Sequence, residues 1–151
     1  MKELNIVNKK AKFDYFIEET FEAGIMLEGW EFKSILQNKA SLLNSYVNIR
    51  EGELYLFNSL IQPLDTTSTH VVAEPTRSRK LLMHKKEINK LIGLVEQKGY
   101  TLIPLKMILK KKVKLIFGLA KGKKNFDKRQ TEKERDWKKE QEMLFKKSSR
   151  E

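Results

Sequence analysis

Apolar positions come in short blocks cut by charged or turn-forming residues. Residues 1–12 are basic and polar, with Lys2, Lys9, Lys10 and Lys12, and read as an extended arm. From Phe13 the chain turns aromatic and apolar through Tyr15, Phe16, Ile17, Phe21, Ile25, Met26 and Leu27. The aromatics and the polar break at Glu18-Glu19-Thr20 favour strand over helix. Gly24 inside this run predicts a bulge or a sharp bend. Trp30, Phe32, Ile35 and Leu36 have the spacing of a short helix ending near Asn38. The runs 46–49 and 54–57 flank Arg50 to Glu53, with Gly52 inside, and predict a hairpin.

Gln62 to Arg79 is a long polar connection kept out of regular structure by Pro63 and Pro75. The clearest helix follows: Ile88, Leu91, Ile92 and Val95 form one apolar stripe, with Gly99 as its stop. Tyr100 to Leu109 and Val113 to Leu119 make a second hairpin around Lys110-Lys111-Lys112, where Pro104 should mark an edge or a bulge. Five or six short strands, a capping helix and one between predict a mainly β fold with flanking helices. The architecture is a small antiparallel barrel of the OB type, with an α+β sandwich as its competitor. The predicted division is an arm over 1–12, a barrel over 13–120 and a tail over 121–151.

The chain of 151 residues has room for one core plus an appendage. Its 31 Lys and Arg against 20 Asp and Glu leave a net charge of +11. That excess points to a polyanion partner, nucleic acid ahead of anionic membrane. No run approaches the roughly 18 apolar residues of a membrane span, and no signal-type block follows Met1. A soluble, cytoplasmic protein is expected. With no cysteine there is no disulfide, thiolate metal site or cysteine nucleophile. His70 and His84 lie apart with no ligand cluster, so no metal and no cofactor is assigned.

The charge pattern is densest near the end. Lys121, Lys123, Lys124, Lys128 and Arg129 crowd around Gly122, and no aliphatic residue stands between Phe126 and Trp137. Such a segment cannot build a core and should stay mobile until an anion orders it. Beyond it, Thr131 and Glu134 form a capping box, and Glu134 and Lys138 an i, i+4 pair. Trp137 and Leu144 share one face, a stripe too thin to hold a free helix. A tail that folds on binding is expected, its helix spanning about 25 Å at about 1.5 Å per residue.

Five stretches carry a resemblance. They are NKKAKFDYFIEETFEAGIML (Asn8 to Leu27), GWEFKS with KASL and SYV, STHVV-x-x-PTRSRKLL (Ser68 to Leu82), LIGLVEQKGYTLIPL (Leu91 to Leu105) and GLAKGKKNFDKRQTEKERDW (Gly118 to Trp137). Together, in this order, they resemble the SmpB family of SsrA-binding proteins, which partner transfer-messenger RNA (tmRNA). The resemblance implies an OB-type barrel and a tail disordered when free. It implies an adaptor without chemistry of its own, binding the tRNA-like domain of tmRNA and bringing it to stalled bacterial ribosomes for trans-translation. The implied partners are tmRNA, the ribosome and its small-subunit rRNA, with elongation factor Tu and alanyl-charged tmRNA in the delivery complex. The free protein is expected to be a monomer. Two departures stand out: Phe126 replaces a frequent histidine, losing its hydrogen bond and titration, and Ile108-Leu109 replaces a Tyr-Trp pair.

The resemblance places tmRNA binding on the barrel, with Asn8, Glu22 and Leu82 matching family positions. A carboxylate such as Glu22 can accept from base amino groups or 2′-hydroxyls; alternatively it is a strand carboxylate paired with a lysine. Leu81 and Leu82 cannot both face inward on a strand, so one is free to meet an unstacked base, the alternative being ordinary core. Arg77, Arg79 and Lys80 put three cations beside Pro75, and Arg forks suit phosphate; the bland reading is a solvated basic loop. In the tail, Lys121, Gly122, Lys123 and Lys124 are assigned to rRNA phosphates. Phe126, Asp127, Lys128 and Arg129 are assigned to the decoding centre, and Trp137 to a helix in the empty mRNA channel. The competing functions are an unrelated OB-type ribosomal or single-strand RNA protein, and a magnesium enzyme using Glu18, Glu19 and Glu22.

Overall fold

The computed structural model describes residues 4–67 and 70–122. Its elements in chain order are α1 (Ala11–Asp14), β1 (Tyr15–Ile25), α2 (Gly29–Leu36), β2 (Ala40–Ser41), β3 (Tyr46–Arg50), β4 (Glu53–Phe57) and β5 (Leu60–Ile61). Then come β6 (Arg79–Leu82), α3 (Lys85–Lys98), β7 (Thr101–Lys110) and β8 (Lys112–Gly122). Six strands close a barrel in the order β1-β6-β4-β3-β7-β8, every pairing antiparallel, as the sequence pattern predicts. The two-residue pair β2–β5 lies outside it and is not visible in the sequence pattern.

Alternation along each strand sends one set of side chains inward. Leu54 and Leu56 of β4, Leu81 of β6, and Leu115 and Phe117 of β8 are all fully buried. Trp30 and Ile35 from α2, and Ile88 and Leu91 from α3, join the same core. Each such side chain contributes about 1.5–3 kcal/mol by leaving water.

Local chemistry sets the turns. Glu51 and Gly52 join β3 to β4 with φ of 51° and 76°, the left-handed pair that a two-residue hairpin demands. Gly99 ends α3 with φ 68°, in the left-handed region favoured at a helix C-terminus. In β7 the register slips between Pro104 and Lys106, so proline sits at a bulge.

The bulge expected at Gly24 lies elsewhere. Gly24 is in register with both Leu82 and Lys114, and the β1 register slips between Ile17 and Glu19. The extra residue lets Glu18, Glu19 and Thr20 all face solvent, which explains a three-residue polar break inside a strand. Gly24 instead marks a close approach: a β-carbon there would stand 3.3 Å from Leu82 Cβ, a contact that Leu82 must yield by a few tenths of an ångström to admit. Around the arm, Ile6 is buried and Val7 bridges to Lys106 of β7, so residues 4–8 lie against the barrel wall.

Candidate nucleic-acid interface

The barrel's outer face is read from the register. Leu82, Gly24, Lys114 and Ile108 stand in one row across β6, β1, β8 and β7. Glu22, Ile116 and Lys106 make the next row. On the other side, Lys80 lies opposite Tyr55 of β4, and its carbonyl accepts from the Met26 amide just past β1. Lys110 and Lys112 flank the hairpin tip. This wall therefore gathers Lys80, Lys106, Lys110, Lys112 and Lys114 together with Glu22 and the exposed Leu82.

Leu81 is fully buried and Leu82 is 50% exposed, so alternation turns Leu82 outward. With Glu22, Gly24, His84, Glu87 and Lys114 it lines a cleft of about 440 Å³, within the size range of small-ligand sites. Glu22 is exposed, and its Oε1 lies 3.2 Å from Lys110 Nζ. Lys80 pairs in the same way with Glu53 at 3.0 Å. Both pairs face solvent, and such pairs are worth about 0–1 kcal/mol, so a phosphate takes either lysine from its carboxylate at little cost. Asn8 lies against the β7 bulge, its Nδ2 donating to the Pro104 carbonyl at 2.9 Å and its amide to that of Leu105, and it lines a separate cleft with Lys10, Asp14 and Ile103. Its side chain straps the arm to the β7 bulge.

The two arginines require a correction. Arg79 is fully buried. Its Nε donates to Glu31 Oε2 at 2.7 Å, Nη1 to the Ser59 carbonyl and hydroxyl, and Nη2 to the Pro75 carbonyl. Four of its five N–H groups are taken and the side chain is fully buried, so the fork does not reach a phosphate on the surface. Arg77 is half-buried and donates to Glu31 at 2.5 and 3.3 Å, with Glu28 alongside at 3.4 Å. Glu31 closes the node from α2 and also accepts the Glu28 amide, forming a capping box. Burial pushes the Glu31 carboxyl up, but hydrogen bonds from Arg77, the Glu28 amide and Arg79 outweigh it and hold it below its ordinary value. The Glu31 hydrogen bond raises Arg77; burial lowers Arg79 despite its own bond to Glu31. The node fixes the end of the long connection and the start of β6, and so aims Leu82.

The carboxylates of the magnesium alternative take separate partners. Glu18 accepts from the Tyr100 hydroxyl at 2.6 Å, Glu19 faces Lys90 at 4.0 Å, and Glu22 faces Lys110. Among the described residues no three His, Cys, Asp or Glu gather as a metal site. No helix among them is long and apolar enough to cross a membrane.

At the other end of the wall, Lys121 and Gly122 belong to β8, paired with Phe16 and Tyr15, so the strand runs two residues past the predicted boundary at Ala120. Lys121 Nζ lies over the Tyr100 ring at 4.8 Å. Lys123, Lys124, Phe126, Asp127, Lys128, Arg129 and Trp137, with the expected tail helix, lie outside the described residues. Charge follows the same division: residues 1–122 hold 20 Lys and Arg against 13 Asp and Glu, and residues 123–151 hold 11 against 7. The larger part of the excess, +7 of +11, thus belongs to the barrel segment.

Fold and wall together define a small closed antiparallel barrel with one basic, partly apolar outer face suited to a polyanion. The comparisons narrow this class. A family model described as SmpB protein matches residues 5–147. An SsrA-binding protein of Ralstonia pickettii is 58% identical over 139 residues, 91% of this chain and 94% of that one. One from Methylobacillus flagellatus is 55% identical, covering 93% of this chain and 92% of the relative. A solved structure described as "tmRNA-SmpB: a journey to the center of the bacterial ribosome" aligns with TM-score 0.65 and 45% identity, over 80% of this chain and 85% of that one. The chain belongs to the SmpB family.

Proposed function

We propose that this protein is an RNA-binding adaptor that holds the tRNA-like domain of tmRNA and carries it to stalled ribosomes for trans-translation. The observation that carries the reading is the convergence of Glu22, Leu82 and Lys114 around Gly24 on a wall of lysines. Lysines neutralise phosphates without reading sequence. Glu22 accepts from base amino groups or 2′-hydroxyls, and Leu82 meets the face of an unstacked base. Lys80 borders this contact and Asn8 extends the RNA surface to the β7 bulge, while Arg77 and Arg79 serve it indirectly by fixing β6. The relatives' description as SsrA-binding proteins and the tmRNA–ribosome description of the solved structure support the same reading.

Residues from Lys121 onward then serve the ribosome. The lysines and Arg129 meet rRNA phosphates, Phe126 and Asp127 stand by the decoding centre, and Trp137 lies on a helix in the vacant mRNA channel. Chemistry is left to the ribosome and to elongation factor Tu with the charged tmRNA, so the protein is no enzyme and works in the cytoplasm as a monomer until bound. A gel shift and a tagging assay test the division of labour. Truncation after Gly122, which spares all of β8, should keep tmRNA affinity and abolish tagging. Glu22→Ala should weaken tmRNA binding while the barrel still melts cooperatively. Affinity lost on truncation and unaffected by Glu22→Ala would move the RNA site into the tail.

A further inference from the structure

A second surface lies on the outer wall of the β3–β4 hairpin. Tyr46 stacks on Phe57 with ring centroids 5.4 Å apart, and Tyr55 tilts against Phe57 at 6.0 Å. The Arg50 guanidinium lies over the Phe57 ring at 4.6 Å. Cross-strand aromatic pairing accounts for Tyr46 and Phe57 as hairpin stabilisers, worth about 0.2–1 kcal/mol. It does not account for Arg50. That residue stands directly opposite Glu53 in the β3–β4 register, where an ion pair is the simplest outcome. Glu53 instead turns to Lys80, and Arg50 lies along the aromatics. Arg50 is exposed, and among the described residues it has no carboxylate partner. A planar cation, an exposed Tyr46 and a half-buried Tyr55 thus stand beside an open cavity bounded by Arg50, Glu51, Tyr55, Phe57 and Ser78; its one acid, Glu51, makes no ion pair with Arg50 among the described residues.

We infer that this cavity takes an unpaired RNA base, stacked on the Tyr55 ring and on the Arg50 plane that the buried Phe57 supports from beneath, with Arg50 also facing its phosphate. Arginine planes and aromatic rings are the groups that hold splayed bases. An apolar protein partner would leave the Arg50 charge to be desolvated without a counter-ion, whereas RNA supplies one. The occupant is the same RNA that lies on the Glu22–Leu82 wall, because the two surfaces are continuous. Tyr55 pairs with Lys80, and Lys80 is next but one to Leu82 on β6. The inference rests on the RNA reading above and adds to it a stacking subsite.

The test is a gel shift of the full chain on the tRNA-like domain at fixed salt, comparing Arg50→Gln, Arg50→Lys, Tyr55→Leu and Glu22→Ala with wild type. Stacking is worth about 1–3 kcal/mol per base, so Arg50→Gln and Tyr55→Leu should each weaken binding roughly 5- to 150-fold. Tyr55→Leu should leave the slope of affinity against salt unchanged, since it removes no phosphate contact. Arg50→Lys should stay weaker than wild type, because it keeps the charge and loses the plane. Arg50 is exposed, so its variants keep the test valid should Tyr55→Leu lower the folding midpoint. Wild-type affinity in Arg50→Gln and Tyr55→Leu, with Glu22→Ala impaired, overturns the stacking subsite alone. No specific binding by the wild type overturns the RNA reading and the subsite with it.

Discussion

Glu31→Ala should strongly destabilise this fold. The carboxylate is fully buried and satisfies Arg79, also fully buried, together with Arg77 and the first turn of α2. Removing it strands the Arg79 guanidinium, whose other partners are neutral oxygens. Breaking a buried pair by deleting one member costs about 3–5 kcal/mol, and loss of the hydrogen bond from the Glu28 amide adds about 1 kcal/mol. Together that is a large part of the roughly 5–15 kcal/mol that holds a domain of this kind folded. With a urea slope of about 2 kcal/mol per molar, the unfolding midpoint should fall by about 2–3 M. Replacing both partners, Glu31→Met with Arg79→Met, should cost less than Glu31→Ala alone, because no uncompensated charge is left behind. A loss below about 1.5 kcal/mol for Glu31→Ala would show that Arg79 finds water, and the node would not be what aims β6.

Three further outcomes follow from the same structure. Because the Glu31 carboxyl lies below its ordinary value of 4.5, the unfolded chain takes up that proton first as pH falls. Its contribution is therefore complete above pH 4.5 and drains as pH drops toward the lowered value; urea midpoints across pH 3–7 should lose this acid limb in Glu31→Gln. Gly118→Ala places a β-carbon 2.7 Å from Ile17 Cγ2 and should cost about 1–3 kcal/mol by overpacking, partly recovered in thermal melts by adding Ile17→Ala. Neighbouring leucines should part company: Leu81→Ala, at 0% exposure, should cost about 2–5 kcal/mol, and half-exposed Leu82→Ala much less while weakening RNA binding. Equal destabilisation by both would put Leu82 in the core.

Most of the barrel was legible because its signals are local. The left-handed pair at Glu51-Gly52, the stop at Gly99 and the bulge by Pro104 each follow from one or two residue types. Gly24 misled for a physical reason: a strand glycine signals either a bulge or a close neighbour, and the neighbour is Leu82, which only the β1–β6 register reveals. The true bulge was written as polar residues in succession, Glu18-Glu19-Thr20, which alternation could not otherwise accommodate. Arg79 reads as a solvated cation in the run Arg77-Ser78-Arg79-Lys80, and its partner lies 48 residues away inside α2. One signal was available, since Glu28 and Glu31 flank Trp30 as a capping box and place a carboxylate on a buried turn. Arg50 was equally opaque: its register partner is an acid, and only the side-chain geometry shows that it turned to Phe57.

An NMR titration of isotope-labelled full-length protein with the tRNA-like domain tests the central claim most directly. The account predicts that the largest amide shifts fall on the wall, at Glu22, Gly24, Leu82 and Lys114, with residues beyond Gly122 little changed. Shifts confined to the residues after Gly122, with the wall unperturbed, would contradict it.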